Sequence, residues 1–489
     1  MTGSPGRVRY FLGPISLPIS AIIGMAFQAQ NRYARGIHGT QATIHAMSGT
    51  PLTLPSDRWD AITTPFEGDV LDRRLLAEQL TGYLDRLRHG AVIALDAPWG
   101  EGKTWFARHW ATLLKDSHRV GYIDVFESDY VEDPFLLLAA EVRRLSASDE
   151  KVAERLGNHA IKLGKVMAPM LGKVTVNLIG KAIGTDDLIG EWAEQVEKAA
   201  EKGADAAQSW IKRRIEQHDK DRDTVRAFRG ELEAFAKAED KPVVIIIDEL
   251  DRCRPAFAVR LLERIKHYFD VPNLVFVLVM NRRQLVSAIK GVYGADTDAE
   301  TYLGKFLHLT LTLPRARSWD LDQGGHVMRG FVSHVLRRYA YDDKNGTLGY
   351  FLTVWVEGFD LSLREIERAC AMCFLVTPQW LGLLGFLAAF RVRHPDLFDA
   401  IRRDDATAAE QAMRLVNDVL ARVGDAASTS YVKAVYLLLS LAQQRALSGA
   451  ENISADATRV LYGSAQSGPA RGHVKAMRAL MQKLDFDVR

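Results

Sequence analysis

Cysteine is scarce in this chain. Three are present in 489 residues, Cys253, Cys370 and Cys373. That density excludes a disulfide framework and points to a reducing cytoplasm. Cys370 and Cys373 have the spacing of half a zinc site, but no second Cys or His pair completes it. They lie in an apolar, helix-like run and read as core packing. An excess of charge of one sign is also missing: 63 Lys and Arg against 61 Asp and Glu leave a net charge of +2. Composition therefore gives no push toward nucleic acid or acidic membranes, and no basic run offers the track a nucleic-acid translocase needs. Internal repeats and low-complexity tracts are absent. One stretch, Tyr10 to Asn31, carries no charge and is long enough to span a bilayer. Gly13, Pro14, Pro18 and Gly24 interrupt it, however, and Arg7, Arg9, Arg32 and Arg35 flank both ends. It reads as a poorly structured extension, or as sequence upstream of a start at Met25 or Met47, rather than as an anchor.

The most informative segment is Ala97-Pro-Trp-Gly-Glu-Gly-Lys-Thr104. It follows the apolar run Ala91 to Leu95 and opens a helical stretch, Thr104 to Leu114. Strand, glycine-bearing loop and helix N-terminus in that order make a phosphate cradle, because successive backbone N–H groups and the positive helix end point at one spot. Lys103 adds a cation for the β- and γ-phosphates, and the Thr104 hydroxyl can ligate Mg²⁺. The residues expected around a nucleotide are Pro98, Trp99, Gly100, Glu101, Gly102, Lys103, Thr104 and Trp105. The first position of the usual pattern is a glycine, and here it is Ala97.

The second motif is Pro242-Val-Val-Ile-Ile-Ile-Asp-Glu-Leu-Asp-Arg252. Its β-branched run reads as a strand buried on both faces, which suits the middle of a parallel sheet. Ligands of open α/β sheets bind beyond the carboxyl ends of the strands. Asp248, where this strand ends, can therefore hold Mg²⁺. Glu249 can polarise a water for attack on the γ-phosphate. Asp251 and Arg252 stand close enough for a local ion pair.

Further strands are expected at Val120 to Val125, Asn273 to Met280 and Leu307 to Leu313, and helices at Val70 to Leu87, Asp133 to Leu145, Arg226 to Lys237 and Ala256 to Phe269. Asp133 can cap its helix, with Pro134 at the first position. Five strands with helices between them indicate an α/β fold, a mostly parallel doubly wound sheet. The expected organisation is an irregular extension over 1–55, a nucleotide-binding core over 56–317 with a long helical insertion at about 146–222, and an all-helical region over 318–489. The insertion mixes apolar residues with Lys162, Lys165, Lys173 and Lys181. It then becomes rich in Glu, Lys and Ala from Leu188 to His218, with Trp192, Val196, Trp210 and Ile215 spaced among the charges. It reads as a packed helical lid, with a partner-binding or membrane-surface arm as the alternative. Asn281, at the end of the fourth strand, can orient the attacking water. Arg282, Arg283, Arg315 and Arg317 stand at strand ends, where one could supply transition-state charge.

Taken together, Pro98-Trp-Gly-Glu-Gly-Lys-Thr104, Ile247-Asp-Glu-Leu-Asp-Arg-Cys253, Phe269-Asp-Val-Pro-Asn273, Tyr302-Leu-Gly-Lys305, Leu313-Pro314 and Leu363-Arg-Glu-Ile-Glu-Arg368 resemble the KAP family of P-loop NTPases. The resemblance runs from about Asp57 to Phe374. It implies an ATPase of the additional-strand class with Glu249 as the catalytic acid, and it places Arg364 where a sensor-type arginine could reach the nucleotide. It also implies, for bacterial members, a link to exclusion of phage or plasmids. Many relatives carry paired membrane helices between the two motifs. This chain has charged, amphipathic sequence there, so membrane residence is not favoured. Glu249 stands where Asp is common in the family, Asn281 where Asp is frequent, and Tyr122 to Glu127 lacks the usual Asn and Trp.

The base is expected to be adenine, because Asn281-Arg-Arg-Gln284 lacks the Asp that reads guanine in Ras-type GTPases. The expected function is an Mg-ATP-driven conformational switch acting on the helical regions, with protein partners through the insertion and the C-terminal region. The alternative is a nucleotide-stabilised scaffold with little or no hydrolysis. Related P-loop classes often assemble, so a homo-oligomer is compatible with the resemblance, though no residue argues for one.

Overall fold

The structure is a computed structural model. It describes residues 62–131, 133–167, 223–314, 325–339, 341, 343, 346–376, 380–444, 454–463 and 470–485. The N-terminal extension, the Leu188–His218 segment and Arg315 and Arg317 lie outside the described residues. The chain divides into two compact units, one within 55–315 and the other within 316–489.

The first unit is built on five strands: β1 (Ala91–Asp96), β2 (Val120–Asp124), β3 (Val243–Asp248), β4 (Leu274–Met280) and β5 (Leu309–Thr312). All pairings are parallel, and the order across the sheet is β2-β3-β4-β1-β5. The strand after the second motif, β4, is thus inserted between the two motif-bearing strands. This is the additional-strand arrangement. Every residue of β3 and β4 is buried, as expected of strands covered by helices on both faces. Burying each Val, Ile or Leu contributes about 1.5–3 kcal/mol relative to leaving it exposed.

Helices α1 (Arg73–Leu84), α2 (Lys103–Leu114), α3 (Pro134–Leu145) and α4 (Glu150–Met167) precede β3. Residues 223–237 are also helical. α5 (Pro255–Tyr268), α6 (Arg282–Tyr293) and the short α7 (Ala299–Gly304) follow. One face of the sheet packs Val244, Ile246, Val275 and Val277 against α1 and α2, through Leu84, Phe106, Trp110 and Leu114. The other packs Ile245, Ile247, Phe276 and Leu278 against α3 and α5, through Phe135, Leu138, Leu261 and Leu262. Asp133 caps α3 by accepting from the Phe135 N–H at 2.9 Å, with Pro134 in the first turn. Arg264 of α5 clamps the same buried carboxylate at 2.6 Å.

The second unit is all helical: α8 (Gly325–Arg338), α9 (Thr347–Gly358), α10 (Leu363–Cys373), α11 (Leu381–Arg393), α12 (Pro395–Arg402), α13 (Ala406–Leu420), α14 (Ala426–Gln443), α15 (Ala455–Tyr462) and α16 (Ala470–Leu484). Its core is one apolar cluster in which Trp355, Phe386, Phe390 and Tyr431 are central. Cys370 and Cys373 are free thiols buried in that core. No helix among the described residues is long and apolar enough to cross a membrane.

Candidate functional site

The two motifs meet at the carboxyl edge of the sheet. The loop from Ala97 to Gly102 turns β1 into α2, and two of its glycines, Gly100 and Gly102, have φ of 84° and 72°. Those left-handed conformations are open to glycine at no steric cost, and successive left- and right-handed residues of this kind can turn backbone N–H groups toward one anion. Lys103 and Thr104 open that helix.

Lys103 is buried, and its ammonium donates to the carbonyls of Ala97 at 2.8 Å and Pro98 at 3.3 Å. Thr104 donates from Oγ1 to Glu249 Oε1 at 3.1 Å, across 145 residues of sequence. Asp248 closes β3 and is 1% exposed. Its Oδ2 accepts from the Tyr122 hydroxyl at 2.6 Å, and its Oδ1 accepts from the Glu249 N–H at 2.8 Å. Glu249 takes a left-handed φ of 63°, which is uncommon for a residue with a side chain. Its Oε2 pairs with Arg252 Nε at 2.5 Å. The local ion pair expected for Arg252 is therefore made with Glu249, three residues back on the same turn. Asp251 instead accepts from the indole N–H of Trp99, the exposed tip of the loop.

Burial sets the electrostatics. It lowers the Lys103 pKa, and Asp251, Asp248, Glu249 and Asp96 work against that shift. Burial raises Asp248, opposed by the bonds from Tyr122, Thr104 and the Glu249 N–H. It also raises Glu249, with help from Asp248 and against Arg252 and Thr104. Groups shifted by burial beside named charges, gathered at the carboxyl edge of a parallel sheet, mark a functional-site candidate. An anionic phosphate beside Lys103 would offset its desolvation. The Thr104 hydroxyl and the Asp248 carboxylate are hard oxygen donors that suit Mg²⁺. That ion is commonly held by one or two carboxylates plus substrate phosphates. Among the described residues no group of three or more His, Cys, Asp or Glu side chains forms a metal cage.

The other expected residues fall as follows. Glu101 is buried and Pro98 is exposed in the loop. Trp105 packs on His109, ring centroids 4.2 Å apart, and on Phe66 at 5.7 Å. Asn281 follows the last residue of β4, is buried, and stands at the N-cap of α6, between the ends of the two motif strands. Arg282 pairs with Glu300 at 2.7 Å, and its N–H donates to Asp96 at 2.8 Å. Arg283 is exposed. Arg364 lies in the helical unit, exposed on the first turn of α10 behind a Ser362–Glu365 capping box.

Three residues beside the site lie outside both motifs and were not among those the sequence reading singled out. Tyr122 of β2 holds Asp248, and Arg108 of α2 donates to the Tyr122 hydroxyl at 3.3 Å. Arg73, the first residue of α1, donates to the loop carbonyls of Glu101 at 2.7 Å and Gly102 at 3.2 Å. A sequence signal for Arg73 did exist. It stands on the stripe with Ala77, Leu80 and Leu84 that α1 buries, and a cation on an apolar stripe needs a partner.

A parallel sheet in this order, with a glycine loop at the helix start and an acid at the end of β3, defines a P-loop NTPase domain. A model of the KAP family P-loop domain matches residues 73–372, more than half of the chain, and the chain belongs to that family. It is similar to the phage T7 exclusion protein of Escherichia coli (strain K12), with 25% identity over 186 residues, 37% of this chain and 25% of that protein. The match thus spans a quarter of that relative's length. Two structures of the Aeropyrum pernix ORC2 protein, of ADPNP-ADP complexes and of an ADP form, cover 87% and 89% of this chain and 97% and 96% of theirs. Identity is 12% and 13%, at TM-scores of 0.33 and 0.30. A likeness at that level adds nothing to the assignment.

Proposed function

We propose that this chain binds ATP with Mg²⁺ and hydrolyses it, and that the cycle drives a conformational switch in defence against phage or plasmids. The observation that carries the chemistry is the 3.1 Å contact between Thr104 and Glu249, which joins the two motifs at the carboxyl edge of the sheet, next to the buried Lys103. The loop N–H groups bind the phosphates, and Lys103 exchanges its bonds to the Ala97 and Pro98 carbonyls for phosphate oxygens. Thr104 and Asp248 would hold Mg²⁺, which supplies charge neutralisation at the β- and γ-phosphates. Glu249 polarises the attacking water, and its raised pKa favours taking up a proton. Asn281, at the end of the inserted strand, helps to orient that water. The family resemblance gives Arg364 a sensor's part. Adenine is favoured because Asn281-Arg-Arg-Gln284 lacks an Asp to read guanine. The defence role rests on the likeness to the phage T7 exclusion protein. The helical unit and the 146–222 insertion are the proposed surfaces for protein partners.

The test is ATP turnover by the purified chain beside Lys103→Ala and Glu249→Gln, with and without phage lysate or DNA. Turnover lost in both variants, with ATP retained by Glu249→Gln, supports the assignment, and stimulation would name the class of trigger. Tight ATP binding without turnover in any condition would leave a nucleotide-held scaffold.

A further inference from the structure

The phosphate loop is held from outside its own motif. Arg73 is 3% exposed, and its two terminal nitrogens reach the carbonyls of Glu101 and Gly102, the residues just before Lys103. The approach to it is fixed. Asp69 accepts from the N–H groups of Leu71 at 3.1 Å and Arg74 at 2.8 Å, and Asp72 turns into α1 with a left-handed φ of 54°. Upstream, Phe66 also takes a left-handed φ, of 61°. Its N–H donates to His109 Nδ1 at 2.7 Å, and its ring stands against Trp105 and Phe106 of α2. The segment from Phe66 to Arg73 is therefore pinned both to the loop and to the helix that the loop opens.

A peptide unit whose carbonyl is tied on one side presents the N–H of the next residue on the other. Tying the carbonyls of Glu101 and Gly102 thus fixes the directions of the Gly102 and Lys103 N–H groups, which lead into α2. An apolar side chain could donate to neither carbonyl, and a lysine could supply only a point donor where the planar guanidinium spans two acceptors. Burial lowers the Arg73 pKa to about 10, with Glu101 and Asp69 opposing. The charge is thus kept at a desolvation cost.

We propose that Arg73 is a positioning residue of the nucleotide site: it holds the phosphate loop with its N–H groups facing the phosphates, acting through the Glu101 and Gly102 carbonyls. The inference rests on the nucleotide-binding reading above, but its first test does not. Hydrogen–deuterium exchange of the full chain without nucleotide, for Arg73→Met and Arg73→Lys beside wild type, reads the loop directly. The expected result is roughly 10-fold faster exchange in peptides covering 97–104 of Arg73→Met, with peptides of β3 and β4 unchanged, and partial recovery in Arg73→Lys. Binding of Mg-ADPNP should then fall on the order of 10- to 100-fold in Arg73→Met, again with partial recovery in Arg73→Lys. Unchanged loop exchange in a folded Arg73→Met protein overturns the proposal whatever ATP does. Faster loop exchange in a family of variants none of which, wild type included, binds ADPNP upholds the positioning of the loop and defeats the nucleotide reading instead. If Arg73→Met does not fold, Arg73→Lys decides: wild-type exchange and affinity overturn the two-acceptor role, and intermediate values support it.

Discussion

The two units of this chain treat buried polarity differently. In the α/β unit, Arg73, Glu101, Lys103, Asp133 and Asp248 are all buried, and apart from Asp133 they lie at the carboxyl edge of the sheet or beneath its loop. Among the described residues of the helical unit, the buried polar side chains are Thr353, Ser428 and Thr458. All three are hydroxyls with partners: Thr353 and Thr458 donate to the carbonyls one turn back, at 2.7 and 2.9 Å, and Ser428 bonds the Tyr350 hydroxyl of another helix at 2.8 Å. Buried charge costs several kcal/mol per ion unless it is well paired, so a fold carries it only where the geometry is demanding. The helical unit is packed for stability, and the α/β unit gives up some stability to place charges. Substitutions should therefore separate the two effects.

The largest separation is expected at Lys103. If the proposed function holds, Lys103→Ala should reduce turnover by about 100-fold or more, because the cation assigned to the developing phosphate charge is gone. Its melting temperature should be unchanged or higher, since a desolvated ammonium has been removed. Phosphate release and circular dichroism on the same preparation check both halves. A large fall in stability together with activity would break the comparison, because the lysine would then be holding the fold.

Tyr122 gives the next effect. Tyr122→Phe leaves Asp248 without its 2.6 Å donor while keeping the ring in place. The carboxylate should be less well oriented, and the Mg²⁺ concentration for half-maximal turnover should rise roughly 10-fold. Affinity for nucleotide measured without Mg²⁺ should not move. A change confined to the metal-free measurement would put Tyr122 outside the site's machinery.

The sequence carried the sheet well because its signals are local. β3 and β4 are short apolar runs bounded by polar residues, and β1 leads into a glycine loop of known shape. Ends were less sharp: the first helix begins at Arg73 rather than Val70, and β5 begins at Leu309 rather than Leu307. Strand ends are set by which N–H finds a neighbour's carbonyl, a tertiary matter. Lys103, Thr104, Asp248 and Glu249 were recognisable because each sits inside a contiguous motif, and the structure brings them together. Arg73 and Tyr122 act across 28 and 126 residues of sequence, and nothing in their neighbours announces the partner. The Arg252 pairing failed for a related reason. The left-handed Glu249 turns its side chain back over the following turn, a backbone choice that residue type does not reveal.

In the helical unit the matching experiment is Tyr431→Phe. The Tyr431 hydroxyl accepts from Trp355 Nε1 at 2.6 Å and donates to the Gly382 carbonyl at 2.5 Å, all within the buried core. Removing it strands the buried Trp355 indole donor, for about 1–3 kcal/mol. The unfolding of this unit should move down by about 5 °C, while nucleotide affinity stays at the wild-type value. Loss of affinity here would show that core packing of the helical unit is coupled to the site.

The smallest effect sharpens the comparison by locating an exception to it. Glu357 of α9 is a half-buried carboxyl whose Oε1 has no hydrogen-bond partner, and burial pushes its pKa from 4.5 to about 7. In the unfolded chain it ionises near 4.5, so the folded state binds the extra proton between those values. Stability is then full below pH 4.5 and declines as pH rises through 7. With solvent screening of a part-exposed group discounted, the loss is on the order of 1 kcal/mol. Glu357→Gln keeps the shape without the charge, and should remove this step from the pH profile of thermal unfolding while leaving the Lys103 and Tyr122 effects untouched. A wild-type profile flat from pH 4.5 to 8 would mean that water reaches the carboxyl after all, and that the helical unit carries no buried ionisable cost.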